Sequence, residues 1–429
     1  MTHRSHRGLT ALAIAAALTT ILAGCVATGG SGAVAPPKKD APGAAILQSR
    51  FSDELKGGMP ELIAAFNAKG KGKVTLNTIP TETYRQQLPT FLTAKNPPDT
   101  YTWFAGEATR AFANQNLLLN ISDVWDKNMT KFPSALKALS KNDKGQEVFV
   151  PTNYYWWGMY YRKSEFAKLG VTPPKTWDEF ITLSKTIKSK GVTPISIGLS
   201  DNPWLASAWF DYLDVRINGG KFHLDLLAGK HQFDDPKVKL VFEKLKEVLP
   251  YFSKSALGVS YNQSMSDLAQ GKAAMYLCGA FISGAVPKDV KGDLGFFQFP
   301  IIDPSVPVVE EAPADGFIAS AGTTRPNLTK RFLAFAASTE GQEILMKAQG
   351  DAALAANPDV HITLGPLAQQ GKEMLESAAQ VTQFFNRDAG DALQPTADAA
   401  LTQFFSQPQN VDAILATWQK AAAKARAGS

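Results

Sequence analysis

The stretch NYYWWGMYYR, from Asn153 to Arg162, places six aromatic rings within ten positions. Read as one β-strand, it alternates between two faces, and a strand buried between two helical layers is apolar on both. This interpretation assigns Trp157 to Tyr161 to a protein core. The N-terminal end follows Pro151 and Thr152, which is typical of a chain that crosses from one folded unit to another. Rings at such a crossing are candidates for a ligand site.

Strand and helix patterns alternate on both sides of this stretch. AILQSRF (45–51) and DTYTWF (99–104) are typical of strands, and GMPELIAAFNAKG (58–70) has the i, i+3, i+4, i+7 apolar spacing of a helix. Thr176 and Glu179 have the spacing of a helix capping box. This alternation predicts an α/β fold with largely parallel sheets, closed by C-terminal helices.

The N-terminus carries signals for secretion and lipid attachment. Arg4 and Arg7 precede an apolar run at residues 9–23, which is shorter than the roughly 20 residues that a membrane-spanning helix needs. The run ends in LAGC, which looks like a bacterial lipobox. We therefore predict a lipoprotein signal peptide at 1–24 and a flexible tether at 25–43. The tether begins with Cys25, whose lipid (palmitate) would anchor the protein to the outer face of the cell membrane. The alternative is a plain signal peptide with a chance cysteine.

Composition limits the remaining possibilities. The chain has 429 residues, enough for two domains, and its formal charge of +5 falls to +3 without residues 1–24. Such a small excess, with no basic stripe, gives no reason to expect nucleic-acid binding. Cys278 has no partner if Cys25 is acylated, so no disulfide is expected. The three histidines beyond the signal segment lack zinc-ligand spacing, and no hydrolase or phosphate-loop motif occurs. We expect no metal, no cofactor and no enzymatic activity.

Aromatic residues also recur where the predicted elements end. Trp103 and Phe104 close a strand, Trp204 begins a helix after Asn202, and Phe281 follows another strand. In α/β sheets, the loops beyond the carboxyl ends of the strands line the ligand crevice. Rings accompanied by amide, carboxylate and guanidinium groups suit a sugar, because its C–H faces stack on rings while its hydroxyls form hydrogen bonds.

Three segments carry a family resemblance: PPDTYTWFAG (97–106), VPTNYYWWGMYYRKSEFAKLGVTPPKTWDEF (150–180) and QGKAAMYLCGAF (270–281). They resemble the carbohydrate-binding lipoproteins of bacterial ABC importers, the extracellular solute-binding family that includes maltose-binding protein. The resemblance implies a two-lobed, periplasmic-binding-protein-like α/β fold, with a hinge and a ligand cleft between the lobes. Hinge crossings would fall near 151–153, 300–306 and 350–355. Lobe 1 would then comprise 44–152 and 306–352, and lobe 2 would comprise 153–305 and 353–429.

The resemblance, together with the aromatic ends of elements, implies a set of ligand-binding residues: Asp53, Glu54, Trp103, Phe104, Glu107, Asn153, Tyr154, Tyr155, Trp156, Asn202, Trp204 and Phe281. Asp315, Arg387 and Asp388 are added for their chemistry and loop position. Gly106, and the Gly-Ala pair before Phe281, depart from the family pattern, which puts maltose itself in doubt.

The predicted function is that of a monomeric substrate-binding lipoprotein that captures a sugar or oligosaccharide and delivers it to an ABC permease. Three alternatives stay open. The same fold could bind a peptide, polyamine or other solute, or it could serve as an adhesin or sensor without a transporter. Glu310, Glu311 and Asp315 could also support a lipoprotein glycosidase.

Overall fold

A computed structural model of the protein describes residues 37–51 and 57–428; Cys25, Asp53 and Glu54 lie outside these ranges. Over them the chain forms the strands β1 (Ala45–Ser49), β2 (Val74–Thr78), β3 (Thr100–Phe104), β4 (Phe149–Tyr154), β5 (Trp157–Arg162), β6 (Thr193–Ile195), β7 (Ala273–Gly279), β8 (Leu294–Phe297), β9 (Val309–Glu311), β10 (Ala314–Ala319), β11 (Leu354–Ala355) and β12 (Gln380–Thr382).

The α-helices of the same ranges are α1 (Met59–Ala68), α2 (Thr81–Leu92), α3 (Glu107–Asn114), α4 (Ser122–Asn128), α5 (Ser134–Leu139), α6 (Lys163–Leu169), α7 (Trp177–Ser189), α8 (Leu205–Ile217), α9 (Gly219–Leu227), α10 (Pro236–Val248), α11 (Tyr261–Ala269), α12 (Ile282–Ala285), α13 (Lys288–Lys291), α14 (Pro326–Ala337), α15 (Thr339–Gln349), α16 (Pro366–Ser377), α17 (Phe385–Ala389), α18 (Gln394–Ser406) and α19 (Val411–Ala427).

The larger sheet has the strand order β11-β4-β10-β3-β1-β2 and forms lobe 1. β1 pairs in parallel with β2 and β3, whereas β10 runs antiparallel between β3 and β4. Helix α1 buries Met59, Leu62, Ile63 and Phe66, the positions whose spacing predicted it. The prediction of largely parallel pairing is therefore confirmed for β1 to β3 and is wrong for β4, β10 and β11.

The smaller sheet has the order β6-β7-β5-β8 and forms lobe 2. β5 pairs antiparallel with both β7 and β8, while β6 pairs in parallel with β7. A third, two-stranded sheet joins β9 and β12 in parallel. The chain thus builds a two-lobed α/β fold, as predicted.

The stretch Asn153 to Arg162 forms two strands in different sheets, so its interpretation as one strand is wrong. β4 stays in the lobe 1 sheet through Tyr154, which pairs with β10 and β11. The amide of Tyr155 donates to Pro313 O (3.2 Å) in the first lobe, whereas Trp156 O accepts from Ala280 N (2.9 Å) in the second. The break between Tyr155 and Trp156 resets the alternation of faces.

We propose that the crossings between lobes lie a few residues beyond the boundaries that the resemblance implies. β9 remains with lobe 2, because Glu310 pairs with Arg216 of α8, and the chain enters the lobe 1 sheet only at β10. β11 pairs with β4 in lobe 1, and Ala356 N still donates to Thr152 O (3.2 Å). We propose crossings at 155–156, 312–313 and 358–365.

The predicted capping box of α7 is confirmed. Thr176 Oγ1 accepts from Glu179 N (3.3 Å), and the Glu179 carboxylate accepts from Thr176 N (3.1 Å). A cap of this kind contributes about 1 kcal/mol to stability. It fixes the start of the helix that places Trp177 and Phe180 in the core of lobe 2.

Among the residues that the structure describes, no helix is long and apolar enough to span a bilayer. Cys278 is buried as a free thiol on β7, and burial raises its pKa. It is therefore a small core residue rather than a reactive one, as its apolar surroundings in the sequence predict.

Candidate ligand site

A cleft of about 710 Å³ lies between the ends of the two main sheets. This volume lies within the range of roughly 300–1,000 Å³ that small-molecule sites occupy. Among the described residues, eight aromatic side chains line it: Phe51, Phe104, Tyr155, Trp157, Trp204, Tyr261, Phe281 and Phe384. Rings from both lobes and from the hinge therefore face one cavity.

The aromatic rings of the second lobe form a cluster in which some pairs are stacked and others meet edge-on. Trp157 stacks on Phe384 with centroids 5.2 Å apart and an interplanar angle of 13°. Trp204 meets Phe384 edge-on at 5.7 Å and 89°, and Trp157 edge-on at 6.3 Å. Phe281 lies edge-on to Trp157 at 5.8 Å. Because Trp204 is half-buried, part of its ring surface remains available to a ligand.

The polar floor of the cleft is built around Asp315 of β10. Its Oδ2 accepts from Arg50 Nη2 at 2.6 Å, and its Oδ1 lies 3.0 Å from Arg387 Nη1. Arg387 Nη2 donates to the hydroxyl of Tyr155 at 2.8 Å. Arg50 follows β1 in lobe 1 and Arg387 lies on α17, so these bonds join separate segments across the cleft.

Burial sets the electrostatics of this floor. The guanidinium carbons of Arg50 and Arg387 lie 4.6 Å and 4.2 Å from the ring centroid of Phe104. Burial raises the pKa of Tyr155, so its hydroxyl stays protonated. Burial alone would lower the pKa of Arg387, but the neighbouring Tyr155 and Asp315 outweigh it and the pKa is raised. The Tyr155 hydroxyl accepts from Arg387 and keeps its own proton to donate to a ligand.

Carboxamides supply further hydrogen-bonding groups. Asn202 Oδ1 accepts from Trp204 Nε1 at 2.8 Å, which orients the ring and leaves the amide NH2 of Asn202 outside this bond. Asn386 Nδ2 donates to Asp391 at 2.8 Å. Gln394 Nε2 donates to Ser207 at 3.1 Å, while its buried Oε1 has no hydrogen-bond partner among the described residues.

Within the described ranges, no group of three or more His, Cys, Asp or Glu side chains is arranged to hold a metal ion. The side chains that line the cleft are aromatic rings, hydroxyls, amides, guanidinium groups and the carboxylates of Glu61 and Asp315. Such a site can stack on and hydrogen-bond a polar organic molecule.

Residues 52–343 match the family described as bacterial extracellular solute-binding protein. The chain belongs to this family. The solute-binding protein is 26% identical to an uncharacterised ABC transporter extracellular-binding protein of Pyrococcus horikoshii, over 67% of this chain and 63% of that one. It is 26% identical to the diacetylchitobiose-binding protein DasA of Streptomyces coelicolor, over 68% of each chain. It is 30% identical to the multiple sugar-binding protein of Streptococcus mutans, over 36% of this chain and 39% of that one. The first of these curated relatives is thus matched over less than two thirds of its length.

Solved structures confirm the two-lobed fold of the solute-binding protein. The solute receptor AcbH, described as having an exclusive preference for β-D-galactopyranose, superposes with a TM-score of 0.85 at 28% identity, over 90% of this chain and 99% of that one. A chitin oligosaccharide binding protein superposes with a TM-score of 0.80 at 23% identity, over the same shares of the two chains. The second likeness shows the fold alone.

Eight of the candidate residues of the solute-binding protein line the cleft: Phe104, Asn153, Tyr155, Asn202, Trp204, Phe281, Asp315 and Arg387. The structure therefore brings together residues from both lobes that are far apart in sequence. Their role in binding stays a prediction.

The other described candidates do not line the cleft. Trp103 is 1% exposed and donates from Nε1 to Ala108 O (3.0 Å), because β3 points it away from the side that Phe104 faces. Trp156 is buried between Phe296 and α16, and Tyr154 is paired within the lobe 1 sheet. Glu107 pairs with its helix neighbour Arg110.

Asp388 is the last of these candidates. It turns away from the cleft and accepts a backbone bond from Gln383 N at 2.8 Å. Asp53 and Glu54 lie outside the described residues.

Several residues of the cleft were not predicted: Arg50, Phe51, Trp157, Tyr261, Phe384, Asn386 and Gln394. Arg50 and Phe51 follow β1, so the rule that selected strand ends would have found them. Tyr261 and Phe384 stand at the starts of helices, where Trp204 also stands. Periodicity places Trp157 in the core, because it does not reveal the break at 155–156.

Proposed function

We propose that this protein is the sugar-binding component of an ABC importer. The observation that carries the proposal is the pairing in one cleft of aromatic rings with groups that both donate and accept hydrogen bonds. Trp204, Phe281 and Phe384 offer surfaces for the C–H faces of a sugar ring. Asp315 can accept hydrogen bonds from its hydroxyls, Asn153 can accept from or donate to them, and Arg387 can donate to them.

Contacts from both lobes at once would stabilise the closed, sugar-bound form of the protein. Asn153 and Asp315 belong to the lobe 1 sheet, whereas Trp204 and Phe281 belong to lobe 2. A sugar shifts the balance toward the closed form only by the affinity it gains there over the open form. Contacts from both lobes at once provide that difference.

The relatives support this choice of solute and partner. The protein of Streptococcus mutans is named for multiple sugars, AcbH for galactopyranose and DasA for diacetylchitobiose. The relative from Pyrococcus horikoshii is named as an ABC transporter component. By analogy, a membrane permease would receive the sugar from this protein.

Of the three carboxylates that motivated a glycosidase, Asp315 lines the cleft, whereas Glu310 and Glu311 do not. Glu310 and Glu311 are 0% and 1% exposed, and Glu310 is paired with Arg216. A glycosidase needs two carboxyl groups that flank a bound sugar. This placement favours binding without hydrolysis.

Attachment to the outer face of the membrane would follow from lipidation of Cys25. Replacing Cys25→Ser should release the protein into the medium, and mass spectrometry of the wild type should show an acylated N-terminal cysteine. A wild-type protein recovered unacylated from the medium would contradict the anchor.

Sugar binding is tested by a thermal-shift screen, followed by calorimetry, on residues 26–429, which retain every residue that the structure describes. The panel contains mono- and oligosaccharides, amino acids, peptides and polyamines. A sugar at 100 times its Kd should add about 2.7 kcal/mol of stability. Stabilisation by a peptide or polyamine, with no response to any sugar, would refute the proposed ligand class.

A further inference from the structure

Behind the ring cluster lies a group of titratable side chains that the cleft chemistry does not use. Four of them are at most 1% exposed: Asp211 and Asp214 of α8, His223 of α9 and Glu311 of β9. Asp388 of α17 joins them and is partly buried. Buried charges are costly unless they are paired or hydrogen-bonded, so their partners show what they do.

Two of these carboxylates hold the backbone of the segment that carries cleft residues. Asp211 Oδ2 accepts from Phe385 N at 2.8 Å, and Asp388 Oδ2 accepts from Gln383 N at 2.8 Å. Between these two amides lies Phe384, whose ring stacks on Trp157 in the cleft. Hydrogen bonds donated to an ionised acceptor are roughly twice as strong as those between neutral groups.

His223 supplies the positive charge that this arrangement needs. Its Nδ1 lies 2.8 Å from Asp214 Oδ2, and its Nε2 lies 3.9 Å from Asp211 Oδ1. Burial would lower the pKa of His223, but Asp214 and Asp211 outweigh burial, so that the pKa is raised.

Glu311 completes the group as a neutral acid. Neither of its carboxyl oxygens has a hydrogen-bond donor facing it within the described part of the chain. Burial, followed by the charge of Asp211, raises the pKa of Glu311 well above its usual range. A protonated Glu311 can donate to Asp211, whose own Oδ1 has no donor among the described residues.

We propose that ionised Asp211, supported by His223, is a positioning residue of the cleft: it holds the Phe385 amide and thereby fixes Phe384 and Arg387 in the site. That the fixed groups meet a sugar rests on the proposed function. Protonation of Asp211 weakens the bond to Phe385 N and lets the segment shift.

The ionisation of Asp211 falls near neutral pH. Burial raises its pKa to about 7, against the opposing effects of His223 and the Phe385 amide. The titratable groups that act on Asp211 are Asp214 of α8, His223 of α9, Glu311 of β9 and Asp388 of α17.

The first test needs no ligand. Tryptophan fluorescence of the unliganded protein is measured from pH 5.5 to 8.5. The fluorescence of Trp157→Phe is subtracted, which isolates the signal of the ring that stacks on Phe384. We expect a transition with a midpoint at about 7. In Asp211→Asn it should vanish, since the amide oxygen accepts from Phe385 N at every pH. In His223→Gln it should move to higher pH, because the imidazolium no longer favours ionised Asp211.

Three outcomes would overturn the proposal: no transition in the folded wild type, an unchanged transition in Asp211→Asn, or its loss in His223→Gln, which would assign it to the imidazole. If Asp211→Asn does not fold, the midpoint of His223→Gln decides alone. Glu147→Gln, at a buried carboxylate of lobe 1 that pairs with Lys137 and Lys141, should keep the wild-type transition.

The second test measures binding of D-galactose and N,N′-diacetylchitobiose by calorimetry at pH 8 and pH 6. If only ionised Asp211 gives a competent site, the Kd of a sugar that binds should rise about tenfold at pH 6. Because the pKa of Asp211 is raised in the folded protein, its titration makes the fold more stable at pH 6 than at pH 8. If Asp211 only stabilised the fold, the affinity for sugar would therefore not fall at pH 6. If neither sugar binds but the fluorescence transition behaves as expected, the sugar function loses support while the positioning role of Asp211 stands.

Discussion

Replacing Glu311→Gln should make the stability of the protein less sensitive to pH. In the unfolded chain Glu311 ionises above about pH 4.5, whereas in the folded protein burial and the charge of Asp211 keep it protonated. The stability due to this proton is fully present below the unfolded pKa and is lost as pH rises toward the folded pKa. Each retained proton lowers the free energy of unfolding by about 1.4 kcal/mol per pH unit.

Between pH 6 and pH 8 this group should therefore cost the wild type at most about 2.7 kcal/mol, a cost that the neutral glutamine avoids. For a chain of this length the upper limit corresponds to about 3 °C in Tm. Scanning calorimetry at pH 6, 7 and 8 should show that the Tm of Glu311→Gln rises relative to that of the wild type as the pH increases.

Glu147→Gln is the matched control. Burial opposes ionisation of Glu147, but its hydrogen bonds and Lys137 outweigh it, so the pKa is lowered. The group is thus ionised in both states from pH 6 to pH 8, and the Tm difference of this variant should stay constant. Equal pH profiles for Glu311→Gln and the wild type would refute the reasoning.

Three further predictions concern the cleft and the fold. Trp204→Ala should weaken sugar binding by about 2–4 kcal/mol by calorimetry; Tyr161→Ala, at a half-buried ring of the same lobe outside the cleft, should not, and equal affinities in both variants would contradict the assignment. Asp315→Asn leaves two guanidinium groups without their carboxylate and should lower the free energy of unfolding in urea by about 3 kcal/mol; a loss below about 1 kcal/mol would mean that the pairs are largely solvated. Thr176→Ala should cost about 1 kcal/mol of stability with sugar affinity unchanged, and a change in affinity would contradict a purely local role for the cap.

The alternation of elements and the local signals were predictable from the sequence. The spacing of Met59, Leu62, Ile63 and Phe66 defines α1, and Thr176 with Glu179 defines the start of α7. These features depend on residues within one or two helical turns. The change of sheet within 153–162 was not predictable to the residue, because Tyr154 and Trp157 look alike in the sequence although their strands belong to different sheets.

The site was predictable only in part. The rule of strand and helix ends identified Phe104, Trp204 and Phe281, but the parity of β3 decides that Phe104 rather than Trp103 faces the cleft. The hydrogen bond between the Asp211 carboxylate and Phe385 N was not predictable, because the two residues are 174 positions apart in the sequence. No short-range pattern encodes such a contact.

The polar floor of the cleft limits which solutes its rings can accept. Helix α17 has only five residues, too few to be stable alone, so its position depends on tertiary contacts with α3 of lobe 1 and with α8 and α9 of lobe 2. Arg387 on this helix is 6% exposed and is paired with Asp315 and Tyr155. A solute that separates these groups must itself offer hydrogen-bond acceptors and donors, because an unpaired buried charge costs several kcal/mol. A sugar hydroxyl offers both, whereas an apolar molecule of the same size offers neither. The rings alone would admit either molecule, whereas the polar floor favours the solute that offers hydrogen-bonding groups.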